Sequence, residues 1–240
     1  MALEGPHIHL RTVGSTNDYA RELAEQGAES GTIVTADEQT SGRGRRGTRR
    51  WVTPPGKALL SSTILRPLPP DRHALLSLAV AVAVCAAAEE LAPVRCQVKW
   101  PNDVWLRERK LAGILIEARP PRWAVIGVGL NLQIADDEFP PDLGWPATSL
   151  GHGATPERAL AALRCAYGRW LAAEPAEILA EARRRDALRG RHVRWSGAGS
   201  AGEGQGRAEG IDDHGNLLVV RDDGRRLALN SGEVTVRPND

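Results

Sequence analysis

Residues 96–132 read CQVKWPNDVWLRERKLAGILIEARPPRWAVIGVGLNL. Four apolar runs stand in this stretch: Cys96–Trp100, Val104–Leu106, Leu111–Ala118 and Trp123–Leu132. Turn residues separate them, Pro101-Asn102 and Pro120-Pro121 among them. Runs this short, rich in Val, Ile and Trp, predict successive β-strands and not a helix. A sheet therefore occupies the middle of the chain.

Working outward, His7–Val13 alternates weakly and Thr32–Ala36 and Ala58–Leu65 are strand-like, so the sheet extends upstream. Ser15-Thr16-Asn17-Asp18 opens a helix to about Gln26, with Ser15 as N-cap and Asp18 close to a capping box. Gly27 and Gly31 bracket its end. Asp71–Glu90 reads as a second helix. Its apolar run, Ala74–Ala88, is rich in Ala and Val and bounded by Pro70 and Glu89, which fits a buried helix of a soluble protein better than a membrane span. Downstream, Thr155-Pro156 is an N-cap followed by proline at the first helical position, and helices are expected at about 156–171 and 175–188.

From Gly190 the texture changes. His192–Trp195, Asn216–Val220, Arg226–Leu229 and Val234–Arg237 alternate with turns such as Asp213-His214-Gly215 and Asp222-Asp223-Gly224. This predicts a small antiparallel β-barrel appended to an α+β domain, with the division at 1–188 and 189–240. Ser196–Gly206 reads as a flexible hairpin tip.

Composition excludes several classes. The 240 residues are 42% hydrophobic and 25% charged, an ordinary globular balance that argues against disorder. Net charge is +1, so no global attraction to nucleic acid is implied. Cys85, Cys96 and Cys165 form no C-x-x-C and number three, which favours a reducing compartment over a disulfide framework. The N-terminus carries no signal-peptide pattern, and a cytoplasmic location is expected.

Residues 37–56 have no hydrophobic period and hold five arginines between Arg43 and Arg50, together with Gly42, Gly44 and Gly47. A loop of this length in a compact domain is usually functional. It matches G-x-G-x-x-G, but Thr48 to Pro55 cannot open the helix that a dinucleotide fingerprint needs. Its glycines let the backbone close on a ligand, and its arginines supply paired donors for phosphate or carboxylate. A solvated basic loop or a nucleic-acid contact is the plainer reading.

Lys99-Trp100-Pro101-Asn102-Asp103 is a turn at a strand end with a lysine and an aspartate flanking it. A lysine there can stabilise phosphate, and an aspartate can help hold Mg²⁺; an ordinary hairpin with surface charges is the alternative. Lys110 precedes an apolar strand. Gly127-Val128-Gly129-Leu130-Asn131 ends another: its glycines permit close backbone approach, and Asn131 must find partners. His7 and His9 share a strand face without a third ligand, so no metal site is expected there.

Taken together and in this order, these segments resemble the biotin–protein ligase family. The matching pieces are Ser15–Asp18, Gln39, Ser41–Gly47, Trp51, Lys99–Asp103, Lys110–Glu117 and Gly127–Asn131. The resemblance implies a mixed-sheet catalytic domain with a small C-terminal SH3-like β-barrel. It implies activation of biotin by ATP to biotinyl-5′-AMP, then transfer to a lysine of a biotin carboxyl carrier domain, with acetyl-CoA carboxylase the expected source of that carrier. On these positions Ser15, Thr16, Asn17 and Gln39 would line the biotin pocket, while Arg43, Gly44 and Arg45 would close over the adenylate. Lys110 would bind carboxylate and phosphate, and Lys99 would stabilise the transferring group. Arg46, Trp51, Asn102, Asp103 and Asn131 would face the nucleotide, Trp51 as a wall for adenine and Asp103 toward Mg²⁺. Lys99, Lys110 and Arg45 are thus the expected catalytic residues.

Thr48-Arg49-Arg50 precedes Trp51, so the loop looks one residue longer than in some relatives. The chain starts almost directly at the catalytic segments, with no room for the N-terminal helix-turn-helix of repressor relatives, so neither DNA nor membrane is an expected partner. A monomer or homodimer fits equally. The rival readings are a lipoate or octanoate ligase or transferase on the same fold, a non-catalytic biotin sensor, and an RNA-binding protein using its Arg/Gly loop.

Overall fold

The computed structural model describes residues 4–45, 50–197, 202–231 and 234–238. Seven strands form the first sheet: β1 (His7–Val13), β2 (Ile33–Gln39), β3 (Ala58–Leu65), β4 (Gln97–Lys99), β5 (Asp103–Leu106), β6 (Arg109–Arg119) and β7 (Trp123–Asn131). Their order is β1-β2-β3-β7-β6-β5-β4. Only β1 and β2 run parallel; the other neighbours are antiparallel, so the sheet is mixed. The expected meander of residues 96–132 supplies β4 to β7.

Alternation along the strands splits the sheet into two faces. Ile33 and Ile126 face one side, where they join α3 (Leu76–Leu91), α4 (Pro156–Trp170) and α5 (Pro175–Arg184) in the main core. Val34, Ile64 and Val125 face the other, where Ala20 and Ala24 of α1 (Thr16–Glu25) pack on them. Helix α3 is buried over almost its whole length, from Leu76 to Ala88. No helix among the described residues is long and apolar enough to cross a membrane.

The expected helix over Asp71–Glu90 is in fact two pieces. A single turn, α2 (Pro70–His73), precedes α3, and the chain resets at Ala74–Leu75. Leu75 is buried there and packs against Gly215 of the second sheet, so a tertiary contact sets the break.

The second sheet has five antiparallel strands: β8 (His192–Gly197), β9 (Gly204–Ile211), β10 (Leu217–Arg221), β11 (Arg226–Leu229) and β12 (Val234–Pro238), ordered β11-β10-β9-β8-β12. Strand β9 corrects the reading of Ser196–Gly206 as a hairpin tip alone; residues 204–206 already belong to a strand. Its glycines hid it. A Cβ on Gly204 would stand 2.5 Å from the Trp195 ring, and one on Gly206 2.2 Å from the Val220 carbonyl oxygen, so close packing demands them. The second sheet shares the main core: Val193, Trp195, Ala208 and Leu217 belong to the same cluster as α3. The Trp100 indole N–H donates to the Gly215 carbonyl at 3.0 Å, pinning the expected Asp213-His214-Gly215 turn to the KWPND segment. Gly215 has φ +82°, open to glycine at little cost.

Candidate functional site

Two adjoining cavities open on the α1 face, sharing Gly44, Trp51 and Lys110 in their walls. The inner one is narrow, about 70 Å³, and the outer one is about 660 Å³.

The inner cavity lies where side chains on the sheet vanish. Gly113 pairs with Gly129, and Leu115 with Gly127, across β6 and β7. A Cβ on Gly127 would fall 2.0 Å from Asn17 Oδ1, and one on Gly129 2.4 Å from the Trp51 ring. The expectation of close backbone approach at these glycines holds, but the guests they admit are Asn17 and Trp51.

Ser15, Thr16, Asn17 and Gln39 line this cavity together. Ser15 occupies the N-cap position of α1 but makes no side-chain capping bond, contrary to the sequence-based expectation. The Gln39 side-chain oxygen Oε1 takes over, accepting from Thr16 N at 2.8 Å and from Thr16 Oγ1 at 3.0 Å. Strand β2 thus caps α1 and fixes the pocket end of both elements. Ser62 Oγ contacts Thr16 Oγ1 at 2.8 Å and Asn17 Oδ1 at 2.7 Å. Ser61 also lines the cavity, and its buried hydroxyl has no hydrogen-bond partner among the described residues. Thr16, Asn17, Gln39 and Ser62 thus form a compact array of donors and acceptors.

The Arg/Gly segment folds over this array. Thr40 and Ser41 donate to Val13 and Gly14 carbonyls at 2.9 and 2.8 Å, and Trp51 N donates to Gly42 O at 3.0 Å. A bridge joins Arg43 to Arg50. A Cβ on Gly42 would meet Trp51 O at 2.2 Å, which requires the glycine. Arg43, Gly44 and Arg45 line the inner cavity. Arg43 pairs with Asp18 at 2.6 Å and with Glu117 at 3.2 Å, while Arg45 donates to the carbonyl of Ser231, between β11 and β12. Arg46, like Arg49, lies outside the described residues.

Cations and one carboxylate line the step between the cavities. Asp103, on β5, lies 2.7 Å from Lys110 Nζ and 3.8 Å from Lys99 Nζ. Burial pushes its carboxyl up, but Lys110, then Lys99 and Arg45, outweigh it and hold the group below the usual carboxylate range. Lys99 is buried. Lys110 Nζ also stands 5.5 Å from the centre of the Trp51 ring. Asn131 lines the outer cavity and donates to Thr148 O at 3.0 Å, which leaves its amide oxygen for other partners. Asn102 lines the inner one and donates to Ile114 O at 2.7 Å.

Among the described residues no three His, Cys, Asp or Glu side chains stand together as a metal cage. Asp103 is a single carboxylate already paired with two ammonium groups, and the described residues gather no further carboxylate beside it for a resident Mg²⁺. His7 and His9 both reach Thr35 Oγ1, at 2.7 and 3.1 Å.

Several wall residues had little or no signal in the sequence. Trp105 and Trp145 stack at 5.0 Å with planes 7° apart in the outer cavity, beside Phe139. Val236, Arg237 and Pro238 of β12 reach the same wall. The polar triplet Ser61-Ser62-Thr63 inside an apolar strand was a legible signal for the pocket floor.

Comparison with known proteins follows this geometry. Residues 10–131 match the biotin/lipoate A/B protein ligase family, and residues 190–237 match the biotin protein ligase C-terminal domain. A biotin–[acetyl-CoA-carboxylase] ligase of Mycobacterium tuberculosis is 35% identical over 233 residues, covering 92% of this chain and 85% of that protein. The bifunctional ligase/repressor BirA of Bacillus spizizenii is 39% identical over 156 residues, which is 62% of this chain and 48% of that protein; the match spans about half the relative's length. Among solved structures, the biotin protein ligase of Aquifex aeolicus in complex with biotin and ATP superposes with a TM-score of 0.82 at 27% identity, covering 98% of this chain and 99% of that one.

Proposed function

Because this chain belongs to the biotin/lipoate A/B protein ligase family, we propose that it activates biotin with ATP and transfers it to a lysine of a biotin carboxyl carrier domain. The observation that carries this reading is the adjacency of a small polar pocket to a lysine-rich step and a larger aromatic cavity, joined through Trp51 and Lys110.

A ureido ring offers two N–H donors and one carbonyl acceptor. Ser15, Thr16, Asn17 and Gln39 supply complementary groups in the wall of the inner cavity. The valeryl carboxylate then points toward Lys110. A carboxylate oxygen attacks the α-phosphorus of ATP, the bond to the β-phosphate oxygen breaks, and pyrophosphate leaves. Lys110 and Lys99 carry positive charge to where negative charge develops, and Arg45 adds to it from the loop. In the second half-reaction the uncharged carrier lysine attacks the acyl carbonyl, the C–O bond to phosphate breaks, AMP leaves, and the amine proton passes to solvent. No enzyme nucleophile is required.

On the nucleotide side, Trp51 forms the wall against adenine, with Asn102, Asp103 and Asn131 near the phosphates. Mg²⁺ would come with ATP as its counter-ion, and Asp103 is the residue that would face it. Closure of the Arg43–Arg45 segment keeps water from the mixed anhydride. Arg46 belongs to the same proposed nucleotide contact. The acetyl-CoA carboxylase carrier is the proposed partner, in line with the name of the M. tuberculosis relative.

The test is transfer to a purified biotin carboxyl carrier domain with ATP and Mg²⁺, read by streptavidin blot, with lipoate and octanoate in parallel. Biotin on the carrier lysine is the expected result. Tight biotin binding without transfer would favour a sensor, and transfer of lipoate or octanoate would assign the other branch of the family.

A further inference from the structure

Glu117, on β6, has no role in the reading above, yet it joins the pocket floor to the loop. Its Oε2 accepts from Asn17 Nδ2 at 3.0 Å. Its Oε1 lies 3.2 Å from Arg43 Nη1 and 3.6 Å from Arg21 Nη1. The second acceptor for Asn17 Nδ2 is the Leu115 carbonyl at 3.3 Å. Both neighbours of that nitrogen therefore only accept.

We propose that Glu117 is a positioning residue that fixes which way the Asn17 amide faces, so that its carbonyl, and not its NH₂, is presented to the ligand as an acceptor for a ureido N–H. This rests on the inner cavity being the biotin site. An asparagine amide has two nearly isosteric ends, and only its partners choose between them. Turned over, the Asn17 oxygen would face a carboxylate and a carbonyl, two acceptors without a proton between them. As placed, Asn17 is 4% exposed and its oxygen stands in the space left by Gly127, accepting from Ser62. An amide oxygen has two lone pairs, so one direction serves Ser62 and the other serves a ligand donor. The negative charge on Glu117 makes the choice one-sided. A neutral glutamine would offer either an acceptor or a donor to Asn17, leaving only the Leu115 carbonyl at 3.3 Å to favour the observed orientation. The same carboxylate holds Arg43, so the residue that orients the floor also anchors the loop above it.

The experiment compares the parent chain with Glu117→Gln by calorimetric titration of biotin and of an N-methylated biotin whose ureido has lost one donor. Ser62→Ala provides a second route to the same amide. The parent is expected to bind biotin well and the methylated analogue less well. Glu117→Gln should weaken biotin about tenfold, the scale of one hydrogen bond in a closed pocket, and the analogue much less, since the bond it disturbs is already gone. A merely structural role would weaken both ligands by the same factor. Equal losses for the two ligands, or biotin binding unchanged in both variants, would overturn the proposal while leaving the biotin reading intact. A parent that binds no biotin would overturn the biotin reading itself, and the proposal with it.

Discussion

Lys110 holds its ammonium 2.7 Å from the Asp103 carboxylate, from the neighbouring strand of the same sheet. The pair stands at the step between the two cavities, where the proposed reaction brings a carboxylate and a triphosphate together. The ion pair with Asp103 holds the Lys110 side chain in place at this step. Replacing Lys110 by Ala should lower pyrophosphate release on mixing with biotin and ATP by about 10²-fold or more, the range for loss of one charge-stabilising donor in a closed site. Unchanged pyrophosphate release would remove Lys110 from the activation step.

Arg45 reaches from the loop to the carbonyl of Ser231, between β11 and β12. It therefore ties the closing segment to a second support. Arg45→Ala should leave biotin binding measurable but speed loss of the adenylate by roughly tenfold, the cost of a charge-assisted hydrogen bond. The check is the off-rate of biotinyl-5′-AMP from parent and variant, and equal rates would sink the role.

Gly129 makes room for Trp51. A methyl there would stand 2.4 Å from the ring, so the indole must move. Gly129→Ala should cost about 1–3 kcal/mol by overpacking and shift Trp51 from its seat between the cavities. Tryptophan fluorescence should change on substitution, and the KM for ATP should rise. A variant with parental fluorescence and kinetics would show that the wall tolerates a side chain.

Arg185 is 8% exposed and joins three structural elements. It donates to both Glu89 oxygens at 2.6 and 2.8 Å, to Glu181 at 2.6 Å and to the Cys96 carbonyl at 3.1 Å. Removing one partner of such a cluster leaves buried charge uncompensated. Arg185→Ala should destabilise the fold by about 3 kcal/mol in denaturant titration. The KM for biotin should stay at the parental value, because the cluster lies on the α3 face, away from the pocket.

Glu181 carries the pH signature of that cluster. Hydrogen bonds from Arg184, then from Arg185, outweigh burial and hold its carboxyl down to about 2, against an ordinary value of 4.5. A folded-state pKa below the unfolded one gives stability that is present above pH 4.5 and is lost as pH falls toward 2. Glu181→Gln should therefore melt below the parent at pH 7, with the gap closing between pH 4.5 and 2. A gap that stays constant across that range would show that the carboxylate charge contributes nothing.

Much of the site was legible before any fold was known. Ser15, Thr16, Asn17, Gln39, Lys110 and Arg43–Arg45 stand in one wall, and Lys99, Asp103 and Asn131 in the next. What marked them was chemical type in unusual company: arginines among glycines, a polar quartet at a helix start, lysines at strand ends. Glu117 gave no such signal, because an acidic residue ending an apolar strand normally just faces water. Trp105 and Trp145 are 40 positions apart in the chain, and nothing local predicts that they stack.

The elements themselves follow from local rules. Strand alternation, the Thr155-Pro156 start and the turn glycines act within a few residues, so the sequence alone determined where β3, β6, β7 and α4 lie, and that the chain is α+β. Contacts distant in sequence decided the rest. Gln39, and not Ser15, caps α1; Gly215 fills the break before α3; β9 exists because Trp195 and Val220 need its glycines bare. Each of these outcomes is settled by a partner that only folding brings near. A side chain's bonding capacity is written in its residue type, but which partner claims it depends on distance, and the tertiary structure alone sets that distance.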